Sequence, residues 1–295
     1  MHKTSIGWFT LVLGGVFALA CDHHSGLRTT ADAGKGAPSS DVGAATGGDA
    51  VAKSFSGVII ATLAQGSASN GYGVFADFAT GPHIDLNPAA ASCSCIHFIS
   101  ALPLPSPDAG TVSVWPPMGG SPLATLTPAD GAYHGSWDLG FLLAGNYASV
   151  TSQAWNPGDE LAIDATGGGV QAFSGRLQVP ALFSGVTPDL LSGSLVIDRT
   201  RDFTVTWAPE GKAKESVLLI LQQIAPPVQT ATTCYCTTSD SAAALTVDAS
   251  TLGQFGTEAA GTLRLERLVA SAASCDNATI TLVGEVAESA AVAFQ

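Results

Sequence analysis

The stretch "DFTVTWAPEGKAKESVLLIL" (202–221) decides the fold class. In its first half Phe203, Val205 and Trp207 fall on one face and Thr204 and Thr206 on the other, the period of a strand with one buried side. Its second half, "SVLLIL" (216–221), lacks polar alternation, as expected of a strand buried on both faces. Pro209 and Gly211 supply turn chemistry between them, so the segment is expected to form a hairpin.

The same pattern extends in both directions. "GVIIATL" (57–63), "GTVSVW" (110–115), "PLATLT" (122–127), "WDLGFLL" (137–143) and "DELAID" (159–164) precede it. "GSLVID" (193–198), "ALTVDA" (244–249), "GTLRLERLV" (261–269) and "ATITLVGEV" (278–286) complete the set. "SPDAG", "PPMGG", "NPGDE" and "ATGGG" separate them with turn residues. Short strands without a sustained helical period predict an all-β fold of antiparallel β-sandwich, Ig-like architecture. The best helical turn lies over 248–256. Pro180 and Pro188 interrupt the pattern, which places two sandwiches in tandem at 55–180 and 181–295, with one larger sandwich or barrel as the alternative. Four Tyr and five Trp are too few for the two aromatic girdles of a transmembrane barrel. Over about twenty residues the opening segment resembles the "TVTW-x-P" hairpin of Ig-like domains in fungal serine/threonine-rich, lipid-anchored wall proteins.

The chain has 295 residues, a net charge of −13 and 11 Lys+Arg. So few cations, unclustered, argue against nucleic acid as a partner, because phosphate binding needs them concentrated. Charged residues make up 12% and hydrophobic ones 46%, a balance that can bury a core.

The N-terminus has a different logic. Lys3 precedes an uncharged, mostly apolar run from Ile6 to Ala20. Spanning a bilayer takes about 20 residues, and this run is shorter, but it suits the apolar core of an export signal. It ends Ala18-Leu19-Ala20-Cys21, which resembles the lipobox of bacterial lipoproteins, with Ala18 where that family most often has Leu. The resemblance implies a signal peptide over 1–20, cleavage before Cys21, and a lipid (palmitate-bearing) anchor on its thiol. Residues 21–54 then read as a disordered tether, since 22–53 hold few apolar residues beyond Leu27, Val42 and Val51. Lipobox, Asp/Gly/Ala spacer and β-rich head together are similar to uncharacterised lipoproteins of myxobacteria. That likeness implies a cell-envelope location, on the inner or outer membrane, and nothing catalytic.

Five further cysteines stand in the head: Cys93 and Cys95 in "SCSC", Cys234 and Cys236 in "TCYC", and Cys275. Export places them in an oxidising compartment, so disulfides are expected and an odd thiol is left over. On a strand, residues two apart share a face about 6.5–7 Å apart, at the limit for a relaxed disulfide, which favours cross-strand pairs over bonds within either CxC. Cys275 is expected to pair with Cys234 or Cys236. The competing reading is a soft-metal site, with Cys93, Cys95 and His97 on one face as ligands for Cu(I) or Zn²⁺.

The sequence contains no nucleophile elbow, HExxH, P-loop or EF-hand. His83, His97 and His134 stand apart in the head, and Asp159, Glu160 and Asp164 surround a turn where acids are common. The expected function is a non-catalytic binding or structural head, without cofactor, held at a membrane through Cys21 and facing an envelope protein or glycan. An exported hydrolase with its site hidden from the sequence, or a soft-metal or redox protein using the CxC pairs, are the alternatives.

Overall fold

The structure, a computed structural model, describes residues 55–66, 70–80, 92–99, 107–129, 132–134, 147–150, 155–212, 215–225, 230–257, 260–273 and 275–295. The expected signal peptide, Cys21, the tether, His83 and the strand expected at 137–143 lie outside them. In chain order the strands are β1 (Phe55–Ala64), β2 (Gly71–Thr80), β3 (Ser92–Ile99), β4 (Val112–Trp115), β5 (Ala124–Ala129), β6 (Ala132–His134), β7 (Tyr147–Val150) and β8 (Glu160–Ala165). They continue as β9 (Phe173–Gln178), β10 (Ser194–Ile197), β11 (Phe203–Thr206), β12 (Glu215–Ala225), β13 (Thr230–Ser239), β14 (Ala244–Val247), β15 (Ala260–Ala273) and β16 (Ala278–Phe294). One α-helical turn, α1 (Ala249–Leu252), falls in the expected place, with the Asp248 carboxylate capping the Thr251 N–H. The fold is all-β and its sheets are predominantly antiparallel.

A nine-stranded sheet runs β3-β13-β12-β15-β16-β1-β2-β7, with β10 beside β16. A five-stranded sheet runs β6-β5-β4-β8-β9, and β11 pairs with β14 alone. The large sheet mixes strands from before and after residue 180, which corrects the expected tandem division. In particular β1 lies parallel to β16, from Phe55 opposite Ala278 to Ala64 opposite Ala287. The prolines that suggested a boundary fall in the connection leaving β9. Proline interrupts a ladder but does not say which sheet the next strand joins.

The expected hairpin over 202–221 is also corrected. Its two strands exist where the alternation placed them, but β11 pairs with β14 and β12 lies between β13 and β15. The central place of β12 explains its unbroken apolar run, since both faces from Val217 to Leu219 are buried.

The two main sheets face each other through residues of period two. Ile59, Ala61 and Leu63 on β1, Val217, Leu219 and Leu221 on β12, and Leu263 and Leu265 on β15 are all fully buried. Val112 and Val114 on β4, Leu126 on β5, and Leu161 and Ile163 on β8 bury the facing side. β9 lies close against β16. A Cβ on Gly284 would lie 1.8 Å from the Gln178 carbonyl oxygen, so only glycine allows the two backbones to meet there. Asn277 latches the other end of that contact: its side-chain amide donates to the Gly169 carbonyl and accepts from the Gln171 N–H, just before β9 begins.

Candidate functional site

Of the residues singled out in the sequence four cysteines come together and the acids at 159–164 do not, while two charged groups arise from side chains that the sequence did not single out. The cysteines form Cys93–Cys236 and Cys95–Cys234 between the neighbouring strands β3 and β13. The spacing of two puts both members of each CxC on one face, and the antiparallel register sets each opposite its partner. Among the described cysteines Cys275 is the free thiol, half-buried beside the Asn277 side chain and the Gln171 carbonyl, and its expected bond to Cys234 or Cys236 is not made. It sits between β15 and β16, whereas β13 is separated from β15 by β12. The thiolates invoked for a soft metal are consumed in the two bonds, so Cys93 and Cys95 offer no ligand beside His97 on β3. Among the described residues no three His, Cys, Asp or Glu side chains converge on a point that could hold a metal ion.

The acids around 159–164 serve the local backbone and surface. Asp159 accepts from the Asn156 N–H and Glu160 pairs with Arg176 at 2.5 Å across β8 and β9, both exposed. A shallow, open hollow lies beside Asp164, lined by Ala165, Ala172, Phe173 and Ser174.

The group missed by the sequence centres on Arg267 of β15, 1% exposed. Its guanidinium pairs with Asp240 at 2.9 Å and donates to the carbonyls of Ala181, Leu182 and Ala208. It also lies 4.4 Å over the Phe183 ring. The other Asp240 oxygen accepts the Glu210 N–H at 2.6 Å, and the Trp207 indole donates to the Asp240 carbonyl. One buried ion pair therefore ties two connecting segments, around 181–182 and 207–210, onto the large sheet. Every charge in it is hydrogen-bonded, the condition under which a buried pair is tolerated.

Beside this pair Glu215, at the start of β12, is 4% exposed, and no N–H or hydroxyl donates to either of its carboxyl oxygens. Lys212 approaches it at 3.9 Å while making its closer contact with Glu210. Burial pushes the Glu215 pKa up to about 7, aided by the adjoining Glu210 carboxyl and the charge of Asp240 and opposed by Lys212. For Glu210 burial acts upward too, but Lys212, the Glu215 carboxyl and the Ala181 N–H outweigh it and hold its pKa below the usual value. The two carboxyls are thus split, one ionised and one protonated at mildly acidic pH. Glu288 of β16 is also buried, with its pKa raised to about 7 by burial first and by Asp189 second, against Arg267.

The outer face of the large sheet carries a second charged group. Arg264 bridges Glu266 and Glu285 beside the apolar cluster of Leu218, Leu268 and Val283. Burial first, then the charge of Glu285, pushes Glu266 up to about 8. No sequence motif marks either group: the first gathers residues between Ala181 and Arg267, and the second joins Arg264 and Glu266 of β15 to Glu285 of the next strand.

Among the described residues no helix is long and apolar enough to cross a membrane. No protein-family model matches the chain, and no curated protein does. Among solved structures, it is similar to the FN1–FN3 domains of chicken CNTN1 at 7% identity and a TM-score of 0.20. That likeness covers 77% of this chain and 65% of the other, so the chain spans just under two thirds of that structure's length.

Proposed function

We propose that the chain is a lipid-anchored cell-envelope protein, acylated at Cys21 and held through the 21–54 tether, whose β-rich head is a non-catalytic binding or structural module. Its partner is an envelope protein or glycan. The observation that carries this reading is the pair of disulfides between β3 and β13. Bonds of this kind persist in oxidising compartments outside the cytosol, which is where an Ala-Leu-Ala-Cys signal would deliver the chain. An acyl anchor supplies membrane attachment without a spanning segment.

The test is labelled palmitate incorporation in a bacterial host, with mass spectrometry of the mature N-terminus. Label on the wild-type chain, an N-terminus at modified Cys21, and loss of both in Cys21→Ser are expected. Label that survives Cys21→Ser, or a mature chain starting elsewhere, overturns the anchor. Envelope extract passed over the immobilised head tests the partner class, with capture by protein or by glycan fractions as the readout.

A further inference from the structure

The edge of the large sheet carries an inference that does not depend on lipid anchoring. β3 is the terminal strand of that sheet, eight residues long, and its register with β13 runs without a bulge from Ser92 opposite Thr237 to Ile99 opposite Thr230. In an antiparallel ladder facing residues alternate. Hydrogen-bonded pairs have Cα atoms about 5.5 Å apart, and non-hydrogen-bonded pairs about 4.5 Å. Both cysteine pairs measure 4.0 Å between Cα atoms. Cys93 and Cys95 are therefore non-hydrogen-bonded positions, and so, two residues on, is His97. Residues of that kind on an edge strand turn their backbone N–H and C=O away from the sheet. Cys93, Cys95 and His97 thus present a regularly spaced row of donors and acceptors outward, on a strand that two disulfides hold to its neighbour.

Among the described residues, the other ends of the two main sheets are blunted. β7, at the opposite end of the large sheet, has four residues, and β6 has three. β9 carries Arg176, whose carbonyl already accepts from the Ser271 hydroxyl. "SCSCIHFI" has no Lys, Arg, Asp, Glu or Pro, so it lacks the devices that keep edges apart.

We propose that the outer edge of β3 is a strand-addition site and that its partner is a second copy of this chain, joined β3 to β3 antiparallel about Cys95. An antiparallel edge is self-complementary under a two-fold axis, which matches length and register without further adaptation. Centring on Cys95 sets Cys93 opposite the partner's His97 and Cys95 opposite the partner's Cys95. These become hydrogen-bonded pairs, with roughly six N–H···O=C bonds in all, two per facing pair. The uncharged strand lets two copies of a chain of net charge −13 meet where neither is charged.

The test is sedimentation equilibrium of the oxidised full chain carrying Cys21→Ser, over concentrations from about 1 to 200 µM. A monomer–dimer equilibrium is expected within that range. His97→Pro removes an outward N–H that β13 does not use, so it should weaken dimerisation at least tenfold while both disulfides and the urea midpoint are retained. Ser94→Glu, at an exposed position, sets two carboxylates diagonally across the axis and should weaken the dimer in a manner relieved by salt. A wild-type chain that stays monomeric at 200 µM overturns the proposal. So does a dimer that both substitutions leave unchanged.

Discussion

Replacing Glu215 by Gln should remove a defined part of the pH dependence of stability. The Glu215 carboxyl titrates at about 7 in the folded chain against 4.5 for an ordinary glutamate. Between those values the native state binds more protons than the unfolded one, so stability falls as pH rises through the window. The destabilising contribution is absent below about pH 4.5 and complete above about pH 7 to 8. A difference of 2.5 pH units corresponds to on the order of 3 kcal/mol. Glutamine has nearly the same shape, stays neutral at every pH and cannot repel Glu210 or Asp240. The variant should lie within about 1 kcal/mol of wild type at pH 5 and exceed it by about 3 kcal/mol at pH 8. Urea unfolding of oxidised protein at pH 5, 6, 7 and 8 reads this directly, with wild type and variant in the same buffers. Parallel profiles, with a constant offset across the series, would refute the placement of a buried, protonated carboxyl at the start of β12.

Other consequences can be measured in the same way. Arg267→Met leaves Asp240 buried without its counter-ion and strips three carbonyls of their donor; breaking a buried pair costs about 3–5 kcal/mol, and a loss of that size in urea unfolding at pH 7 is expected. Gly284→Ala forces β9 away from β16, and a loss of about 2–3 kcal/mol, read from the thermal midpoint, should follow. The two disulfides close nearly the same loop, with sequence separations of 143 and 139. By loop closure the first contributes about 5 kcal/mol and the second, closing a ring of a few residues, about 2. Replacing Cys93 and Cys236 by Ala should therefore cost less than half of what replacing all four cysteines costs in urea unfolding. Thiol titration of denatured, unreduced Cys21→Ser chain should find one reactive group, and alkylation mapping should assign it to Cys275.

The all-β class was legible because the alternation of Phe203, Val205 and Trp207, and of comparable runs, follows from the two-residue repeat of a strand. Local periodicity also marked β12 as buried on both faces. Strands with a different signature escaped it. β13, "TATTCYCTTS", has Thr on both faces and no apolar period, although Cys234 and Cys236 are fully buried. β9, "FSGRLQ", hides its period behind Gly175, which stands where the Leu282 side chain of β16 needs room.

Sequence alone determined how the chain divides between strand and turn, and which face of each strand is apolar. It also placed the two members of each CxC on a common face. Those properties depend on neighbours within a few residues. Only the tertiary structure decided which strands pair: β11 with β14 instead of β12, β1 with β16, and Cys93 with Cys236 in place of any bond to Cys275. The buried charges belong to the same category. Glu215 sits in a charged stretch that reads as exposed turn, and Arg267 alternates with Leu in "RLERL" like any strand residue. Each becomes a buried electrostatic element when β12, β15 and the 240–242 turn converge. Pairing energy resides in backbone groups that every residue carries, and proximity across hundreds of positions leaves no local trace.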